Sequence, residues 1–243
     1  MRVIGIIPAR WHSSRLEGKV LAEINGKPMV QHVYERCCQA SLLSETLIAT
    51  DDVRVKAAAL GFGAPVVLTS SDHQSGTDRV AEVARSLDCD VVVNIQGDEP
   101  LLNPVMINEV VAPLGEFPEV EFSTLKQRIF NEEELENPGV VKVVVDADNY
   151  ALYFSRSLIP CRPPDGSVEA FEHIGIYAYR PTCLARLAQL KPTPLEKTER
   201  LEQLRALENG IRLYVVESGC RVKGVSVDTQ DDLEEVRRMM KED

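Results

Sequence analysis

Four short runs rich in β-branched residues, at 3–7, 47–50, 66–68 and 91–95, recur with helical patterns between them. Apolar runs this short and continuous mark strands covered on both faces, and such strands alternating with helices restrict a chain to βαβ units and a parallel sheet. Between the first two runs, Met29, Val30, Val33, Tyr34 and Cys37 share one helical face, and Asn25-Gly26 marks a turn ahead of it. Val80, Val83, Ala84 and Leu87 repeat that pattern. The first ~115 residues therefore predict a doubly wound, mostly parallel α/β sheet.

The texture changes after Pro118. Runs at 140–145 and 151–154 flank Asp146-Ala147-Asp148-Asn149, as two strands joined by a polar turn would, and imply an inserted or edge β segment. A strand is expected over 173–179, helices over 194–208 and 229–241, and a strand over 213–217. The 243 residues suffice for one large domain or two intimate ones, and neither an internal repeat nor a linker is evident.

Charge and cysteine usage exclude several function classes. Lys plus Arg number 27 against 38 for Asp plus Glu, a net charge of −11 that repels nucleic acid and anionic lipid. An anionic ligand must find a local basic pocket. The six cysteines contain no C-x-x-C pair, which argues against a disulfide framework or zinc site and for a reducing cytoplasm. The opening MRVIGIIPAR is too short an apolar run for a secretion signal, and no ~20-residue apolar stretch predicts membrane insertion.

Ligands of such sheets bind beyond the carboxyl ends of strands, which nominates two loops. The first strand runs into Pro8-Ala9-Arg10-Trp11-His12-Ser13-Ser14-Arg15-Leu16-Glu17-Gly18-Lys19, where cations and hydroxyls gather as a polyphosphate requires. The same composition suits a solvated basic loop. The loop matches neither G-x-x-x-x-G-K-[ST] nor G-x-G-x-x-G. The fourth run ends in Asn94-Ile95-Gln96-Gly97-Asp98-Glu99-Pro100, where Asp98 suits a hard cation such as Mg²⁺ or simple turn chemistry. Asp228, ahead of the last helix, is either a second carboxylate for that cation or an N-cap. The loop 71–79 suits base or ribose recognition as well as helix capping. His173 alone reads as a core histidine and Arg156 as half of a surface pair.

In order along the chain, IPARWHSSRLEGK, DHQSGTDR, VVNIQGDEP, VKVVVDADNYALYFSRSLIP, HIGIYAYR, LEQLRALENG and GVSVDTQDDLEEV resemble the 3-deoxy-manno-octulosonate (Kdo) cytidylyltransferase family, the CMP-Kdo synthetases. The resemblance covers nearly the whole chain. It implies a nucleotide-diphospho-sugar transferase fold whose inserted β segment serves dimerisation, with 1–117 as the CTP-binding half and 118–243 as the sugar-binding and dimerisation half. It further implies formation of CMP-Kdo and pyrophosphate from CTP and Kdo, for lipopolysaccharide, by a cytoplasmic, Mg²⁺-dependent homodimer.

Carried over position by position, Arg10, Ser13, Arg15 and Lys19 would hold the triphosphate, with Ala9 beside them, while Gln74, Ser75 and Arg79 would seat the cytidine. Asp98 and Asp228 would ligate Mg²⁺, and with Arg15 and Lys19 would form the catalytic set. Gln96, Arg156, His173, Tyr177, Glu202 and Gln203 would line the sugar pocket. The family's usual RLPGKPL reads here Arg15-Leu16-Glu17-Gly18-Lys19-Val20-Leu21, so two prolines are absent and an acid stands among the phosphate cations. The stretch Glu196-Lys197-Thr198-Glu199 and Gln230 also depart from the usual pattern. Cytidylyltransferases for 8-amino-Kdo or sialic acid, and a non-catalytic nucleotide or sugar sensor, remain the competing readings.

Overall fold

The computed structural model describes residues 1–13, 16–73, 75–220 and 225–242. Two compact units emerge, Met1–Asn108 together with Val222–Asp243, and Glu109–Arg221.

In the first unit, β1 (Val3–Pro8) is followed by a 3-10 turn (Lys19–Leu21), β2 (Glu23–Ile24), β3 (Lys27–Pro28) and α1 (Met29–Cys37). Next come β4 (Glu45–Thr50), α2 (Val53–Gly61), β5 (Val66–Leu68), α3 (Gly76–Ala84) and β6 (Val91–Asn94), after which α4 (Pro104–Glu116) begins in this unit and ends in the second. The four apolar runs form strands that pair in parallel in the order β6-β1-β4-β5. The chain steps outward from β1 to β5, then returns to the other side of β1 for β6. That reversal opens a crevice beyond the carboxyl ends of β1 and β6, where doubly wound sheets bind ligands. Met29, Val30, Val33 and Cys37 are buried along α1, as their spacing requires. Asn25-Gly26, at φ 47° and 80°, turns the short β2–β3 hairpin. Two successive positive φ values suit Asn-Gly better than almost any other pair.

The second unit contains β7 (Phe122–Arg128), α5 (Glu132–Glu136), β8 (Lys142–Val145), β9 (Ala151–Ser155), β10 (Phe171–Tyr179), α6 (Pro181–Leu187), α7 (Pro194–Glu199), α8 (Leu204–Glu208) and β11 (Tyr214–Glu217). β10 lies antiparallel to β7 and β8, and β11 parallel to β7. The β8–β9 hairpin turns at Asp146, whose carboxylate accepts the N–H groups of Asp148 at 2.9 Å and Tyr150 at 2.8 Å. One expectation needs correction, because residues 194–208 are two helices rather than one. Arg200 adopts a left-handed conformation (φ 55°) that closes α7 before α8 begins.

The units are drawn differently from the expected halves 1–117 and 118–243. Helix α9 (Gln230–Glu242) and the residues before it pack Val227, Leu233 and Val236 against Ile24, Met29 and Leu101 of the first unit. Burying that apolar stripe brings the C-terminal segment back beside the first strands. Among the described residues no helix is long and apolar enough to cross a membrane. Leu233→Ala, which empties space in this cluster, is expected to lower stability by about 2–5 kcal/mol, read as a lower urea midpoint with an unchanged slope.

Candidate active site

The crevice of the first unit holds a cavity of about 400 Å³ lined by Arg10, His12, Ser13, Lys19, Gln96, Asp98 and Asp228, with Pro8, Val20, Gly76 and Gly97 completing its wall. Its form follows from close backbone packing. A Cβ on Gly97 would lie 2.9 Å from the carbonyl oxygen of Pro8, so only glycine lets the chain leaving β6 pass so near the end of β1.

Lys19 organises the charged floor. Its Nζ donates to Asp98 Oδ2 at 2.6 Å, Asp228 Oδ1 at 2.9 Å and the Val227 carbonyl at 3.0 Å. A backbone bond from Val227 N to Asp98 O, 2.9 Å long, fixes the two acidic loops against each other. Burial opposes charge on Lys19, but the two carboxylates outweigh it and hold its pKa above the ordinary lysine value. The ammonium is a stand-in ion, showing that both carboxylates converge on one cation position. Among the described residues no group of three or more His, Cys, Asp or Glu side chains could hold a metal. Two carboxylates are nevertheless the donor set Mg²⁺ uses when phosphates and water complete its shell.

The remaining nucleotide positions divide. Arg10, Ser13 and Gln96 line the cavity, and Ala9 is buried beneath it, its N–H bonded to Ala49 O at 2.9 Å. Ser75 caps α3, accepting the Asp78 N–H at 3.1 Å. Arg79 is fully buried, paired with Asp51 at 3.0 Å and bonded to Thr69, so here it braces the α3 side of the sheet. Arg15 and Gln74 lie outside the described residues. His12, Val20, Gly76 and Gly97 line the cavity although the sequence motifs did not assign them to it. Their signal was position alone, since His12, Gly76 and Gly97 each lie in a loop that the sequence nominates.

In the second unit, His173 and Tyr177 project from β10 beside Gln203 at the start of α8. The β10–β7 register shifts between Ile174 and Tyr177, and Thr124 of β7 fills this irregularity. Its Oγ1 lies 2.8 Å from Ile176 O and 3.1 Å from Ile174 O, and 2.9 Å from His173 Nε2. The single hydroxyl proton goes to a carbonyl, so Nε2 carries the imidazole proton and donates it to Thr124. Nδ1 is then the acceptor facing Gln203 Nε2 at 3.5 Å, while Tyr177 OH approaches Gln203 Oε1 at 3.4 Å. Glu202 precedes Gln203 in the same turn. Arg156 is anchored separately, its guanidinium donating to the carbonyls of Glu199 at 2.8 Å, Pro138 at 2.8 Å and Arg200 at 3.4 Å.

Comparison with known proteins completes the assignment. Residues 4–214 match the cytidylyltransferase family model. The 3-deoxy-manno-octulosonate cytidylyltransferase of Geobacter sulfurreducens is 49% identical, the match covering 99% of this chain and 100% of the relative. That of Geotalea daltonii is 50% identical over 100% of this chain and 99% of the relative. A CMP:2-keto-3-deoxy-manno-octonic acid synthetase solved in complex with CTP superimposes with a TM-score of 0.94 at 41% identity, covering 100% of this chain and 99% of that one. The chain belongs to the 3-deoxy-manno-octulosonate cytidylyltransferase family. It is an enzyme of the nucleotidyltransferase class, with that class's mixed α/β fold about a mostly parallel central sheet.

Two acids of α7 have structural roles. Glu196 caps α7 and pairs with Arg205 of α8 at 2.5 Å, while Glu199 accepts the Arg156 N–H at 2.9 Å and the Ser155 hydroxyl at 2.8 Å. Burial pushes the His173 pKa down to about 3, so the imidazole is neutral throughout the physiological range. The unfolded chain binds a proton at this residue below pH ~6.5 and the folded chain does not. Stability is therefore fully present above that pH and falls towards pH ~3, by up to about 1.4 kcal/mol per pH unit. His173→Gln is expected to flatten the urea midpoint between about pH 6.5 and 4.5. An equally steep profile in the variant would place the titration elsewhere.

Proposed function

We propose that this enzyme transfers CMP from CTP to the anomeric hydroxyl of Kdo, releasing pyrophosphate and supplying CMP-Kdo for lipopolysaccharide. The observation that carries this reading is the convergence of Asp98 and Asp228 on one cation inside a cavity also lined by Arg10, Ser13 and Lys19. Charge of both signs there suits a metal-bound triphosphate in an otherwise acidic protein. Family membership with full-length relatives at about half identity supports the choice of substrates.

The anomeric oxygen attacks the α-phosphorus in line. Its bond to phosphorus forms as the bond from the α-phosphorus to the bridging oxygen of pyrophosphate breaks, and the hydroxyl proton passes to solvent. Phosphoryl transfer of this kind depends on positioning and electrostatics. Arg10, Ser13 and Lys19 hold the triphosphate, Arg15 adding charge to the same loop, and Gln74, Ser75 and Arg79 support the cytidine side. Lys19 exchanges its carboxylate partners for phosphate oxygens as substrate binds. Asp98 and Asp228 would hold Mg²⁺, whose chemistry there would be charge neutralisation at the phosphates and a lowered pKa for the attacking hydroxyl. Gln96, Tyr177, Glu202, Gln203 and neutral His173 offer donors and acceptors to sugar hydroxyls, and Arg156 provides the cation for the sugar carboxylate.

The enzyme acts in the cytoplasm as a homodimer built on the β8–β9 segment, where Leu152 is 61% exposed. The nearest alternative substrates are 8-amino-Kdo and sialic acid, which present the same carboxylate.

Pyrophosphate release with Mg²⁺ and CTP, measured in parallel with Kdo, 8-amino-Kdo and sialic acid, is expected to occur with Kdo. Release with a different acid alone would overturn the substrate, and CTP binding without release would indicate a binding protein. Asp98→Asn is expected to lower turnover by at least ~10²-fold at saturating Mg²⁺. Arg156→Ala is expected to impair Kdo use while leaving the KM for CTP within about twofold, and an unchanged kcat and KM for Kdo would remove Arg156 from the sugar site.

A further inference from the structure

The acid that stands where the family usually has proline, Glu17, bonds within its own loop. Glu17 Oε1 accepts the indole Nε1–H of Trp11 at 3.2 Å and stands 3.9 Å from His12 Nδ1. The Gly18 N–H donates to the Trp11 carbonyl at 2.9 Å, closing the loop at its base. Gly18 adopts φ 69°, and a Cβ there would lie 2.7 Å from the Trp11 ring, so the indole rests directly on this backbone.

A guanidinium also packs on the indole. Arg54 of α2 stacks with its Cζ 3.6 Å from the ring centroid. Its Nε and Nη2 donate to both oxygens of Asp52, at 2.9 and 2.6 Å, and Asp52 in turn caps α2 through the Arg54 N–H. Arg54 is thus aimed by the end of the β4–α2 connection, and Trp11 is contacted by elements remote from each other in sequence. The loop itself carries Arg10 and Ser13 into the cavity.

We infer that Trp11, Glu17 and Arg54 form a latch that holds the phosphate loop in its binding conformation and lowers the KM for CTP, replacing by side-chain contacts the stiffness of the absent prolines. Glu17 and Arg54 are positioning residues, since neither lines the cavity. The inference rests on the reading of that cavity as the triphosphate site.

The chain has one tryptophan, so its fluorescence reports the latch alone. In Glu17→Ala and Arg54→Ala, steady-state Trp11 anisotropy without ligand is expected to fall. The KM for CTP is expected to rise about 3- to 10-fold, with kcat and the KM for Kdo within about twofold. Glu17→Gln, which keeps an acceptor for the indole, is expected to stay near the wild type in both measurements. The double variant is expected to be little worse than either single one, because both act through one ring. Unchanged anisotropy in both alanine variants would overturn the latch, and lower anisotropy with an unchanged KM for CTP would overturn its positioning role. A wild-type enzyme that does not bind CTP would instead overturn the reading of the cavity, and with it the positioning role.

Discussion

One ammonium group gathers the working parts of the first unit. Lys19 Nζ bonds two carboxylates that lie 79 and 209 residues away in sequence, and a carbonyl beside the second. Two carboxylates this close to one point repel unless a cation lies between them. The arrangement needs three chain segments in place together: the loop after β1, the turn after β6 and the approach to α9. Burial of Leu233 and Val236 holds the last of these, and the tight passage at Gly97 holds the second. Binding chemistry and packing are thus coupled, because the cation floor exists only where the apolar stripe of α9 has found its partners.

How much of this was legible in the sequence depends on which force shaped each part. β1, β4 and β6 were readable because apolar runs report burial directly, whereas the run at 66–68 forms an edge strand, β5, that leaves Leu68 exposed and is not covered on both faces as its sequence suggests. β7 was not readable, because FSTLKQR interleaves polar residues and yet buries Ser123, Thr124 and Lys126. The split between α7 and α8 was hidden for a related reason. Nothing in the side chain of Arg200 announces a left-handed backbone, and across the break Glu196 of α7 pairs with Arg205 of α8 while Glu199 bonds Arg156 and Ser155. The resemblance implies metal ligation by Asp98 and Asp228. It gave no hint that Lys19 lies between them, nor that Arg79 is buried in an ion pair with Asp51. Pairings between distant segments are written in no local pattern.

The second unit separates charge from neutral polarity. His173 is neutral because it is buried, and its Nε2–H donates to the Thr124 hydroxyl, which in turn donates to a backbone carbonyl. A neutral ring with a fixed tautomer presents Nδ1 as an acceptor to its polar neighbours, but it offers nothing to a carboxylate. Arg156 is held the opposite way. Its guanidinium bonds to three backbone carbonyls, and neutral acceptors orient a cation without cancelling its unit charge. An acidic sugar needs both kinds of group, a persistent cation for its carboxylate and uncharged partners for its hydroxyls. Glu199 lets the two coexist: it anchors Arg156 through the backbone N–H and Ser155 through its hydroxyl, while the guanidinium bonds to carbonyls. Glu199 is therefore part of the scaffold that aims the cation.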